Sequence, residues 1–150
     1  MATLKLELHL IPQSSFFCNL RTALGNKWYP LSKQIRKEHN DTCQYCGAIK
    51  DTKKGLYIHC HEVWEYNEST KIQKLIGFEC LCSDCHAVHH WEYSRISNRD
   101  LNALLKHACK VNNCSQDEFK RHIQEAGDLW IKRSAIQWKL EYGEWASLIK

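Results

Sequence analysis

At 150 residues the chain is expected to form a single domain with a core of its own, and 43 % hydrophobic against 25 % charged residues is an ordinary globular balance. No apolar run is long enough to span a bilayer, which excludes an integral helical membrane protein. The net charge of +4 permits a nucleic-acid partner but is weaker than the basic bias such proteins usually carry.

In chain order, Leu4, Leu6, Leu8 and Leu10 alternate with Lys5, Glu7 and His9, the period of a half-buried strand that Pro12 ends. Ser14 or Ser15 is expected to cap a short helix over residues 19–24, stopped by Gly25. Pro30 and Ser32 then open a second helix over residues 32–38, with Lys33, Arg36 and Lys37 mostly on one side. These cations make either a solvated face or a phosphate-facing patch. Residues 1–40 thus form an N-terminal part, 41–96 a cysteine- and histidine-rich core and 97–150 a helical extension.

Within the core, Cys43-Gln-Tyr-Cys46 is answered by Cys82-Ser-Asp-Cys85-His86. Two Cys-x-x-Cys knuckles at this distance are the spacing of a four-sulfur structural zinc site, because a two-residue gap lets both sulfurs of a pair face one ion. The alternatives are buried free thiols, or His86 replacing one sulfur. Of nine cysteines, Cys18, Cys60, Cys80, Cys109 and Cys114 remain, with no spacing that ties them together. Residues 50–55 form a polar loop containing Lys53 and Lys54, 56–61 a strand, 62–70 a loop, and the later part of 71–81 a second strand.

A helix from about Ser83 is expected to carry Cys85, His86, His89 and His90. His86 and His90, four apart, fall on one helical face and can grip one ion. His89 lies about 100° away and is expected at the surface. His61 can face the pair from the strand, as a base or as a core histidine, and His59 shares its strand face. Beyond residue 98, Leu101, Leu104, Leu105 and Ala108 have helical spacing, and Ser115-Gln-Asp-Glu118 is a capping box for a helix running past Gln137. Trp145 and Leu148 are expected to fold back onto the body. The first residues lack a signal-peptide pattern, so a cytoplasmic location is expected, where thiols stay reduced.

The series Cys43-x-x-Cys46, Cys60-His61-Glu62 and Leu81-Cys82-x-x-Cys85-His86 resembles the HNH endonucleases of the ββα-metal class, including small bacterial and phage proteins. The resemblance implies an α+β, zinc-stapled, treble-clef-like core with an N-terminal strand and flanking helices. It implies metal-dependent hydrolysis of DNA phosphodiester bonds, with His61 as general base. His86, His90 and Cys60 would hold a second divalent ion, Mg²⁺, Mn²⁺, Ni²⁺ or Zn²⁺, beside the structural zinc. Lys33, Arg36, Lys37, Lys53 and Lys54 would hold the DNA backbone.

The sequence departs from the family at two places. Cysteine at position 60 suits a soft ion better than magnesium, and Gly77 stands where the family has an asparagine, with Asn67 and Gln73 nearby but out of place. These departures motivate the alternative of a catalytically inactive zinc module that binds nucleic acid or a protein, such as a phage-encoded inhibitor of a host defence system.

Overall fold

The computed structural model describes residues 3–149, an α+β arrangement of six α-helices and one three-stranded mixed sheet. Its centre is an antiparallel hairpin of β1 (Ile58–Asn67) and β2 (Ile72–Cys82), in register from Ile58 opposite Cys82 to Asn67 opposite Ile72. The register shifts between Val63 and Trp64, which face Gly77 and Leu75, so Ile76 is the extra residue of a bulge. The segment 62–70, expected as a loop, is mostly strand. Trp64 and Tyr66 are half-buried while Glu65 and Asn67 are exposed, a period-2 pattern carried by aromatic rather than aliphatic residues. The short strand β3 (Lys139–Glu141) adds to β2 in parallel at Ile72–Lys74.

Helix α3 (Ser83–His89) starts directly where β2 ends. Its N-cap is Cys82, whose sulfur accepts the Cys85 N–H at 3.5 Å. The short α4 (Trp91–Ile96) follows, then α5 (Leu101–Asn112) and α6 (Gln116–Ser134). Ser115 and Glu118 form the expected capping box at the start of α6. That helix stops at Ser134 instead of passing Gln137, and the buried Trp138 donates its indole N–H to the Arg133 carbonyl at 2.9 Å. A side chain beyond the helix thus takes one of the carbonyls that a helix end leaves open.

Ahead of the hairpin, α1 (Leu20–Leu24) is capped by Asn19, not by Ser14 or Ser15, which lie in or beside a single 3-10 turn. Helix α2 (Trp28–Glu38) begins four residues before the expected start. Pro30 sits in its first turn, where a missing N–H costs no helical hydrogen bond.

The alternating leucines do not form a strand. Leu6 and Leu8 are buried as the pattern requires, but no strand edge pairs with them. Side chains take the role of the missing ladder. Asn112 Oδ1 accepts the N–H groups of Lys5 and Leu6, both at 2.7 Å, and its amide donates to the Leu6 carbonyl at 2.9 Å. His122 Nε2 accepts the Leu8 N–H at 3.0 Å, and the His9 N–H reaches the His89 carbonyl at 2.9 Å. The bonds to Leu6 and Leu8 satisfy backbone groups that burial would otherwise strand, and the Lys5 bond extends the pattern to an exposed residue. Leu6 and Leu8 join Ile35, Leu81, Val88, Leu104 and Phe119 in the main core, and Leu20, Leu24 and Leu75 make a smaller one under Trp28 and Trp145. No helix among the described residues is long and apolar enough to cross a membrane.

Candidate metal centre

The two knuckles meet. One sulfur each from Cys43, Cys46, Cys82 and Cys85 lie within 4.8 Å of one another, and the Cys46 and Cys82 sulfurs are 3.6 Å apart. Tetrahedral Zn–S bonds of ~2.3 Å would separate sulfurs by ~3.8 Å, so this spacing fits one shared ion such as zinc and is far too long for a disulfide. The first knuckle turns at Gly47, whose φ is +76° and whose N–H returns to the Cys43 carbonyl at 3.0 Å. Gln44 ties it to β2, accepting the Cys80 N–H at its side-chain oxygen (2.6 Å) and donating its own N–H to the Cys80 carbonyl (2.9 Å). Hydrogen bonds from Cys82 and Cys85 pull the Cys43 thiol far below its usual pKa, while the same contacts raise theirs, Cys82 to about 12. A divalent ion shared by the four sulfurs would favour their ionised form. His107, on α5, sets Nε2 at 3.1 Å from the Cys85 sulfur. Nothing in its local sequence marked it.

A cluster of imidazoles lies beside the sulfurs. His61, from β1, is buried, and its ring stands 5.3 Å from His86 and 5.0 Å from His90, which are 4.7 Å from each other. One nitrogen from each of the three lies within 4.8 Å of the others. His90 is not within α3 but just past its end, at φ −96° and ψ 47°. Its ring still faces His86. His59 stands 5.0 Å from His86 on the same side.

His89 is fully buried, not at the surface. Its direction on α3 does diverge from His86, but that side of the helix is covered by the N-terminal segment and by β2. Its Nδ1 donates to the Glu7 carbonyl at 2.6 Å, and Nε2 meets Glu79 Oε2 at 2.9 Å. His9 stacks on it at 3.7 Å and places Nδ1 at 3.3 Å from His61 Nε2. Glu79 is also the direct cross-strand neighbour of His61. Burial alone would raise the Glu79 pKa, but hydrogen bonds from His89 and Tyr45 hold it below the usual carboxylate value.

Two histidine trios therefore share His61, but they differ chemically. In His9, His61 and His89, both nitrogens of His89 are already taken by Glu7 and Glu79. In His61, His86 and His90, no protein group among the described residues hydrogen-bonds the nitrogens of His86 or His90. The second trio is free to hold an ion. Burial, then the neighbouring imidazoles, lowers the pKa of His61 well below 6.5, of His86 to about 3 and of His90 to about 4. The rings are thus neutral at pH 7, the form that ligates metals.

Cys60 stands outside both groups. It alternates with His59 and His61 along β1 and lies opposite Cys80. Burial pushes its thiol up to about 12, so it stays protonated. Glu62, on the same side of the strand, accepts the Leu20 N–H at 2.8 Å and the Arg21 N–H at 3.3 Å, anchoring the start of α1. Neither Asn67 nor Gln73 replaces the asparagine missing at Gly77. Asn67 closes the hairpin turn onto the Thr70 N–H, and Gln73 is buried toward the same end of the hairpin.

Of the expected backbone-holding cations, Arg36 lines a cavity of about 660 Å³ together with Arg21, His59 and His86. Lys33, Lys37, Lys53 and Lys54 do not line it. No protein-family model, curated protein or solved structure matches the chain.

Proposed function

We propose that this chain is an HNH-like, metal-dependent endonuclease that hydrolyses phosphodiester bonds of DNA, its scaffold stapled by zinc on Cys43, Cys46, Cys82 and Cys85. The observation that carries the proposal is the trio of His61, His86 and His90, with nitrogens within 4.8 Å and two of the three rings free of hydrogen bonds from the described residues. The order of hairpin then helix, with sulfurs at the junction, supports the HNH-like reading.

Three imidazoles leave coordination positions open, the pattern of catalytic rather than structural sites. A divalent ion there would polarise the phosphoryl oxygen and acidify a bound water. His86 and His90 grip from the end of α3. His61 sits close enough to complete the set, and we assign it as third ligand in preference to the base role that the family resemblance implies. His9 Nδ1 lies 3.3 Å from His61 Nε2, a contact that would orient the ring if His61 ligates through Nδ1.

The test is metal uptake and cleavage of both supercoiled plasmid and single-stranded circular DNA, measured together with added Mg²⁺, Mn²⁺, Ni²⁺ or Zn²⁺. Native protein should bind a second ion and nick DNA, and His86→Ala should lose both. His61→Ala should lose both if it is a ligand, and cleavage alone if it is the base. The second reading is the inactive binding module, favoured by Gly77, where an added Cβ would meet nothing within 4 Å and no side chain replaces the missing asparagine. Uptake of a second ion without cleavage under any of these metals would establish it.

A further inference from the structure

Two cavities meet at His86, one of the histidine trio. One, about 340 Å³, is lined by Phe16, Phe17 and Tyr93 together with His61, His86 and His90. The other is the 660 Å³ cavity of Arg21, Arg36, His59 and His86. Arg21, Trp28, Cys60 and His86 line both, so they form one continuous groove. Its two ends differ in chemistry. At the aromatic end Phe17 is 82 % exposed and Tyr93 61 %, with Ile96 67 % exposed in the adjoining hollow. Packing does not account for large apolar rings held in water at the rim of a site. At the other end, neither Arg21 nor Arg36 forms an ion pair within 4 Å among the described residues, although the Glu62 carboxylate, which also lines the groove, interacts with the Arg21 charge.

From this juxtaposition we infer that the groove takes a single-stranded nucleic-acid segment, with bases stacked on Phe17 and Tyr93 and phosphates held by Arg21 and Arg36. The inference rests on the hydrolase reading for what happens at the trio and names the substrate class of that site. A cationic track beside aromatic platforms is what an unpaired strand requires, since every base offers a flat face and every linkage a negative charge. A duplex keeps its bases stacked on each other and out of reach of such rings. The mild net charge of +4 also gives little general attraction for duplex DNA.

The test measures binding of a fluorescein-labelled oligothymidine, and of a duplex of the same length, to zinc-loaded protein with no other metal added. The native chain should prefer the single strand. Phe17→Ala and Tyr93→Ala should each weaken single-strand binding roughly ten-fold, and Phe17→Trp should restore it. Arg36→Ala should reduce the salt dependence of binding by about one released counterion. Equal or tighter binding of the duplex, no binding of either, or single-strand affinity unchanged in both aromatic variants would overturn the inference.

Hydrolysis of bis(p-nitrophenyl) phosphate separates this from the hydrolase reading. Ester hydrolysis that is lost in His86→Ala, without single-strand preference, sinks the inference alone. Phe17-dependent strand binding with no ester hydrolysis under any added divalent ion sinks the hydrolase reading and leaves the binding surface standing.

Discussion

The rings of His9 and His89 lie nearly parallel, 9° apart with centroids at 3.7 Å, although 79 residues separate them in sequence. This stack joins the N-terminal segment to α3. Below it, His89 is locked between the Glu7 carbonyl and the Glu79 carboxylate.

Removing the carboxylate should therefore destabilise the fold. Glu79→Ala leaves a buried imidazole nitrogen without its partner, at a cost of about 2 kcal/mol. Glu79→Gln, which can still bond to His89, should cost less. Urea midpoints of the two variants check this, and equal losses would show that the His89 contact contributes nothing beyond packing.

The sulfur cluster should govern metal content. Cys43→Ser or Cys85→Ser is expected to lose the tightly held ion and roughly 3 kcal/mol or more of stability, since structural zinc contributes directly to folding. Cys60→Ser should keep the ion, because Cys60 belongs to neither ligand group. Elemental analysis of the three purified variants decides between them.

Asn112 should matter more than a helix-end polar residue usually does. Its side chain satisfies two N–H groups and one carbonyl of the N-terminal segment. Asn112→Ala is expected to cost about 2–3 kcal/mol and to speed amide exchange at Lys5 and Leu6. Unchanged exchange there would refute the side-chain ladder.

Acid should loosen the same segment. His122 Nε2 accepts the Leu8 N–H, which only an unprotonated nitrogen can do. Burial lowers the His122 pKa, against the opposing pull of Glu7 and Glu125. A depressed histidine pKa contributes stability that is complete above the unfolded value of 6.5 and fades as pH falls below it. The native chain should lose more stability from pH 7 to pH 5.5 than His122→Gln does. Parallel pH profiles for the two would contradict this.

Much of the centre was legible because its signals are local. The Cys43 and Cys82 knuckles announce their own ligand spacing, and His86 and His90 sit one helical turn apart. The cap at Ser115 is likewise a four-residue pattern. What escaped depends on distant chain segments. His9, Glu79 and His107 gain their meaning only when the fold sets them beside His61, His89 and Cys85. The leucine alternation gave burial correctly and secondary structure wrongly, because period 2 describes which side chains turn inward and not what bonds the backbone. The strand through Trp64 and Tyr66 was hidden by its polar alternate residues.

Cys82 belongs to two structures at once, as a corner of the sulfur cluster and as the cap from which α3 departs. An ion shared by the sulfurs would therefore also fix the base of the helix that carries His86. Loss of that ion would loosen His86 as well, through four residues of backbone.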